Sequence, residues 1–182
     1  MTAFRIPLIA AAVLIAAPAL AQPPANPPPL ATPNPTYATI VMEQDVARPA
    51  AEVWKRIGKY CDIAEWSANL KCQLTGTDGQ VGAVRVLNGS TIEVLVARTD
   101  LSYTYAQPVR VGQVYNLYHG TLEAKPVSAG ASKLVYTLIL DNSMLADDAA
   151  RKADVDRRRA RFTQALKDMK TLAEGGKLAP AR

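Results

Sequence analysis

Apolar and polar residues along this chain follow two periods, separated by clear turn signals. The run Tyr37–Val46, YATIVMEQDV, is rich in β-branched and apolar types and predicts a strand. Arg48-Pro49 follows, and proline suits the first turn of a helix, where its missing N–H would have no partner. Ala50, Val53, Trp54 and Ile57 then fall at i, i+3, i+4 and i+7, one apolar helical face, and Gly58 ends it. A second short helix is predicted over 61–66. Strand patterns occupy 71–76, 83–87, 91–99, 102–107, 115–125 and 133–142, punctuated by glycines and by Asn88-Gly89, a hairpin signal. Connections this short favour an antiparallel meander. The last pattern is a helix over 147–173, with Asp147 and Asp148 suited to its N-terminus and a length of ~40 Å. Phe162, Leu166, Met169 and Leu172 or Ala173 form an apolar stripe on its second half. Its first half is mostly charged and is expected to overhang into solvent. The sum is an α+β chain. A curved antiparallel sheet must cover one face, and only the last helix is long enough to do so.

The N-terminus follows a different pattern. Arg5 precedes the uncharged apolar stretch Ile6 to Ala17, and Ala19-Leu20-Ala21 has the small-x-small form of a cleavage site. This predicts a signal peptide over 1–21 and a periplasmic or secreted product. Residues 22–35 hold seven of the 13 prolines, which favours an extended, disordered linker with no core of its own. The folded domain is expected over 37–175, with a disordered tail at 176–182. Cys61 and Cys72 are the only cysteines, and in an oxidising compartment they are expected to form a disulfide.

Composition narrows the function classes. The chain has 182 residues, 49% hydrophobic and 20% charged, which fits one globular domain. One histidine and two cysteines exclude a zinc finger, a multi-histidine metal site and a haem-attachment pair. Phosphate-loop, dinucleotide and serine-hydrolase signatures are missing from the sequence, and neither a cofactor nor a metal is expected. The net charge of +5 is uneven: residues 151–182 hold ten basic and four acidic side chains, concentrated at Arg157, Arg158, Arg159 and Arg161. Export argues against nucleic acid as the partner. This cluster reads as a solvated helix face, with peripheral contact to an anionic membrane as the alternative.

Three segments resemble one family. ARPAAEVWKRIGKY at 47–60 is similar to a strand-to-helix P-x-x-x-V-W-x-x-I signature. LNGSTIEVLVARTDLSYTYA at 87–106 resembles a Gly-bearing hairpin, Glu-bearing strand and Asp turn, and YHGTLEAKPVSAGASKLVYTLIL at 118–140 a penultimate hairpin. In this order they resemble the START-like helix-grip superfamily, which includes polyketide cyclase/dehydratase-like and lipid-transport proteins. Exported bacterial members with a C-D-I-A-E-W-like segment often carry His and Pro after the Trp. This chain has Ser67 and Ala68 there, so no role of that His carries over.

The resemblance implies a curved sheet wrapped around a long C-terminal helix, with two short helices after the first strand and a cavity between sheet and helix. Placing Glu93 inward, as in the family, also turns Thr91, Leu95 and Ala97 inward. Similar matching places Arg85, Leu87, Tyr103, Tyr105, Tyr118, Gly120, Tyr136 and Leu138 inside. Phe162, Leu166 and Met169 would form the floor, with Trp66 near the closed end. His119, the only histidine, would point away. The implied function is an exported binding protein for a hydrophobic or amphipathic small molecule or lipid. In this scheme Arg85 either clamps an anionic ligand or pairs with Glu93 across the hairpin. The alternatives are a cofactor-free cyclase/dehydratase using Glu93 and tyrosine hydroxyls, and an interaction protein with a filled cavity.

Overall fold

The structure, a computed structural model, describes residues 29–110 and 115–179. The signal-peptide segment 1–21, residues 22–28 of the linker and the last three residues of the tail lie outside the described residues.

Seven strands and three helices follow in the order β1 (Tyr37–Val46), α1 (Ala50–Ile57), α2 (Ile63–Trp66), β2 (Cys72–Thr75), β3 (Val84–Leu87), β4 (Thr91–Thr99), β5 (Ser102–Ala106), β6 (Tyr118–Ser128), β7 (Ala131–Asp141) and α3 (Asp148–Ala173). The sheet order is β1-β7-β6-β5-β4-β3-β2, with every neighbouring pair antiparallel. β2 to β7 form a meander, and β1 pairs with β7 at the far edge. The α1–α2 segment therefore carries the chain from one edge of the sheet to the other. The disulfide Cys61–Cys72, with Cα atoms 5.6 Å apart, ties the start of that turn to β2.

α3 lies across one face of the curved sheet, the helix-grip arrangement. Asp147 caps it by accepting a hydrogen bond from the Ala150 amide at 2.8 Å. Leu166 and Met169 are fully buried. At the C-terminal end, Glu174 Oε1 accepts from the Ala47 amide and from Lys170 Nζ, fastening α3 beside the β1–α1 connection.

Three local expectations change. The first half of α3 does not overhang: Asp154 is buried, Val155 packs on the core, and Arg159 donates to the Val41 carbonyl of β1 at 2.9 Å. Arg157 and Arg158 both pair with Asp154, and this local neutralisation lets a charged helical turn lie against the sheet. Ala97 is exposed, because a bulge between Leu95 and Ala97 shifts the β4–β5 register. β6 runs past Pro126 to Ser128, and a register irregularity between those residues accommodates the missing proline donor.

Candidate functional site

A cavity of about 780 Å³ lies between the sheet and α3, within the usual range for small-molecule sites of ~300–1,000 Å³. Each wall comes from a different element. α2 and the turn after it contribute Ile63, Trp66 and Leu70. Leu87 of β3, Thr91 and Glu93 of β4, Tyr105 of β5 and Tyr118 of β6 contribute the sheet side, each at an alternate inward position. α3 contributes Arg158, Arg161, Phe162 and Ala165, whose spacing puts them on one helical face. Leu140, Asp141 and Met144 close the side where β7 leads into α3.

The structure thus brings Trp66, Leu87, Glu93, Tyr105, Tyr118 and Phe162 of the sequence-derived set onto one wall. Leu95, Tyr103, Tyr136, Leu166 and Met169 point to the same interior but sit outside that wall, packed in the core. Tyr103 and Leu95 border a separate void of about 40 Å³ beside Trp54 and Tyr60. His119, one residue from Tyr118 and Gly120, takes no part in the wall.

Arg85 is fully buried and also lies off the wall. It stands opposite Glu93 in the β3–β4 register. Its Nε donates to Glu93 Oε2 at 2.7 Å, its Nη2 lies 2.6 Å from the same oxygen, and its Nη1 donates to the Tyr60 carbonyl at 2.6 Å. The guanidinium also packs over the rings of Tyr60 and Tyr105, at 4.3 and 4.9 Å from their centroids. Of the two arrangements left open by the sequence, cross-hairpin pairing is the one adopted. Desolvation alone would lower the Arg85 pKa, but neighbours led by Tyr103 and Glu93 outweigh it and keep the side chain a cation.

Glu93 is the one member of this pair that reaches the cavity. Its second oxygen, Oε1, accepts from Gln107 Nε2 at 3.1 Å, and Gln107 in turn accepts from the Tyr115 hydroxyl at 3.5 Å. Both carboxylate oxygens are therefore occupied. Burial pushes the hydroxyls of Tyr105, Tyr118 and Tyr136 above the usual phenol range, so they serve as neutral donors rather than bases. Tyr105 and Tyr136 share a hydrogen bond at 3.0 Å, and Gly120 gives Tyr105 its room: a Cβ there would sit 2.4 Å from the phenol. Tyr136 in turn packs against Phe162, with centroids 4.6 Å apart. Among the described residues there is no cluster of three or more potential metal ligands.

Sequence reasoning missed Ile63, Leu70, Gln107, Tyr115, Leu140, Asp141 and Met144. It also read Arg158 and Arg161 as surface charges. Their spacing from Phe162 and Ala165 (158, 161, 162, 165) is an i, i+3, i+4, i+7 face and was the available signal. No local pattern marks the residues that lie in turns.

The chain matches the family described as "Polyketide cyclase / dehydrase and lipid transport" over residues 37–174. Similar solved structures include a protein from Thermobifida fusca studied by solution NMR, 22% identical, with a TM-score of 0.62, covering 79% of this chain and 99% of that one. Norcoclaurine synthase from Thalictrum flavum is 13% identical, with a TM-score of 0.59, covering 79% and 97%. A second structure of that enzyme, in complex with dopamine and hydroxybenzaldehyde, is 13% identical, with a TM-score of 0.57 over 80% and 91%. At these identities the likeness shows the fold alone. A search of the curated proteins found no match. With the family match spanning all the described strands and helices, the chain belongs to the polyketide cyclase/dehydrase and lipid transport family.

Proposed function

We propose that this protein is an exported carrier that holds a hydrophobic or amphipathic small molecule between its sheet and α3. The observation that carries the reading is the cavity itself: about 780 Å³ beneath a helix whose core-facing residues are otherwise fully packed. Its aromatic and aliphatic members suit an apolar body, and its polar and charged members suit orientation of a head group. Export is supported by the N-terminal pattern and by the Cys61–Cys72 disulfide, a bond that persists in oxidising compartments. No helix among the described residues is long and apolar enough to cross a membrane.

A carrier is favoured over an enzyme because Glu93, the candidate acid or base, already accepts from Arg85 and Gln107 through both oxygens. Native mass spectrometry of protein isolated from an oxidising compartment, followed by organic extraction, tests the reading. It predicts a bound species that exchanges one-for-one with added amphiphiles. Protein that carries nothing and binds no member of a panel of fatty acids, esters and aromatic acids would overturn it.

A further inference from the structure

The polar groups on the cavity wall are unevenly satisfied. Each carboxylate there already accepts a hydrogen bond. Glu93 accepts from Arg85 and Gln107, Asp141 from Ser143 and the Asn116 amide, and Asp168 from Gln164. The donors are not matched in the same way. Arg158 uses Nε on Asp154 and Nη1 on the Tyr118 hydroxyl, and among the described residues nothing accepts from its Nη2. Tyr118 accepts from Arg158, so its own hydroxyl proton is left to donate. Arg161 lines the cavity and is exposed, and its guanidinium, 5.8 Å from the Phe162 ring centroid, makes no hydrogen bond or ion pair among the described residues. Trp66, also on the wall and almost fully buried, has an indole N–H with no acceptor among the described residues.

The geometry points to an anionic amphiphile as the occupant, an acidic head group on an apolar body, for which an alkyl carboxylate is the probe. Its head meets Arg158, Arg161 and Tyr118, and its apolar part runs toward Leu87 and Phe162. A ligand that brings acceptors satisfies donors that have no partner among the described residues. Burial holds Tyr118 in its neutral, donating form. Arg158 cannot turn away to solvent without leaving Asp154 buried and half paired. Arg158 and Arg161 belong to the run whose sequence reads as a solvated helix face, with membrane contact as the alternative. Their place on the cavity wall assigns them to a bound head group instead of a lipid surface. This inference rests on the carrier reading.

Calorimetric titration at pH 8 tests it, with dodecanoate, methyl dodecanoate and dodecyltrimethylammonium as probes below their micelle concentrations. The protein variants are wild type, Arg161→Gln and Tyr118→Phe. Dodecanoate is expected to bind wild type about 10- to 100-fold more tightly than its ester, the range for charged hydrogen bonds. Arg161→Gln, at an exposed position that leaves the fold intact, should remove most of that advantage and leave the ester unchanged. Tyr118→Phe should act in the same direction. Equal affinity of wild type for all three probes overturns the head-group assignment but leaves the carrier reading standing. Failure of every probe, the ester included, overturns both. Phosphatidylglycerol vesicles form the last arm. If Arg161→Gln lowers vesicle binding while dodecanoate affinity is unchanged, the arginines serve a membrane surface and the assignment falls.

Discussion

Arg85→Met isolates the role the structure gives to its most enclosed charge. The substitution keeps an unbranched side chain of similar length and removes the cation. Glu93 Oε2 then loses both its 2.7 Å and 2.6 Å partners, while only Gln107 remains on Oε1, and the Tyr60 carbonyl loses its donor. Removing one member of a buried ion pair costs about 3–5 kcal/mol, because the other charge is left without compensation. With a urea m-value of about 1–3 kcal/mol/M, the unfolding midpoint should fall by roughly 1–5 M. Replacing both members, Arg85→Met with Glu93→Leu, should recover much of the loss, since a packed apolar pair often equals a buried ion pair. The double mutant should therefore be at least about 1 kcal/mol more stable than additivity of the two single mutants gives. Urea denaturation followed by circular dichroism reads all four proteins, with m-values compared to check that unfolding stays two-state. A single-mutant shift below about 0.5 M, or strict additivity, would refute the account of the pair.

Gly120→Ala places a Cβ 2.4 Å from the Tyr105 phenol, which must move and give up its bond to Tyr136. A loss of about 1–3 kcal/mol in thermal unfolding and altered probe affinity should follow, and an unchanged melting temperature would contradict the packing. Reducing Cys61–Cys72, which spans 11 positions, should cost about 3 kcal/mol by loop-closure entropy. It should also weaken probe binding, because Ile63, Trp66 and Leu70 lie between the cysteines; thiol-treated protein of unchanged affinity would argue against a pinned wall. For Asp141, burial pushes the carboxyl up, but bonds from Ser143 and Asn116 outweigh it and hold it below the usual range. Its stabilisation is complete above the unfolded-state value and is lost as pH falls through the lowered folded value. Asp141→Asn should flatten the acid limb of the stability–pH curve; an identical limb in the mutant would remove Asp141 as its source.

The elements that position the cavity are written in short-range patterns. Val53, Trp54 and Ile57 set the α1 face, Asn88-Gly89 sets the β3–β4 hairpin, and Asp147 starts α3 within one residue of the expected position. The family resemblance fixed Glu93, Tyr103 and Tyr105 inward, and strand alternation carried Leu95 with Glu93, since a period of two leaves only one choice once one residue is fixed. Partner choice was less legible. Whether Arg85 faces a ligand or Glu93 depends on how closely two strands approach, and both outcomes share one sequence pattern. Asp154 looked like a solvent residue because its neighbours are charged, yet those neighbours, Arg157 and Arg158, are what allow its burial. Leu140, Asp141 and Met144 reach the cavity through the turn between β7 and α3, where no periodicity operates.

Amide chemical-shift mapping of the ¹⁵N-labelled protein with one alkyl carboxylate tests the central claim most directly. A cavity gripped between sheet and helix predicts saturable shifts concentrated at residues 63–70, at Leu87, Glu93, Tyr105 and Tyr118, and at residues 158–165 of α3. Positions on the opposite sheet face, such as Val41 and Ile139, should stay unmoved. Shifts confined to that outer face, or none at saturating probe, would contradict a ligand-holding interior.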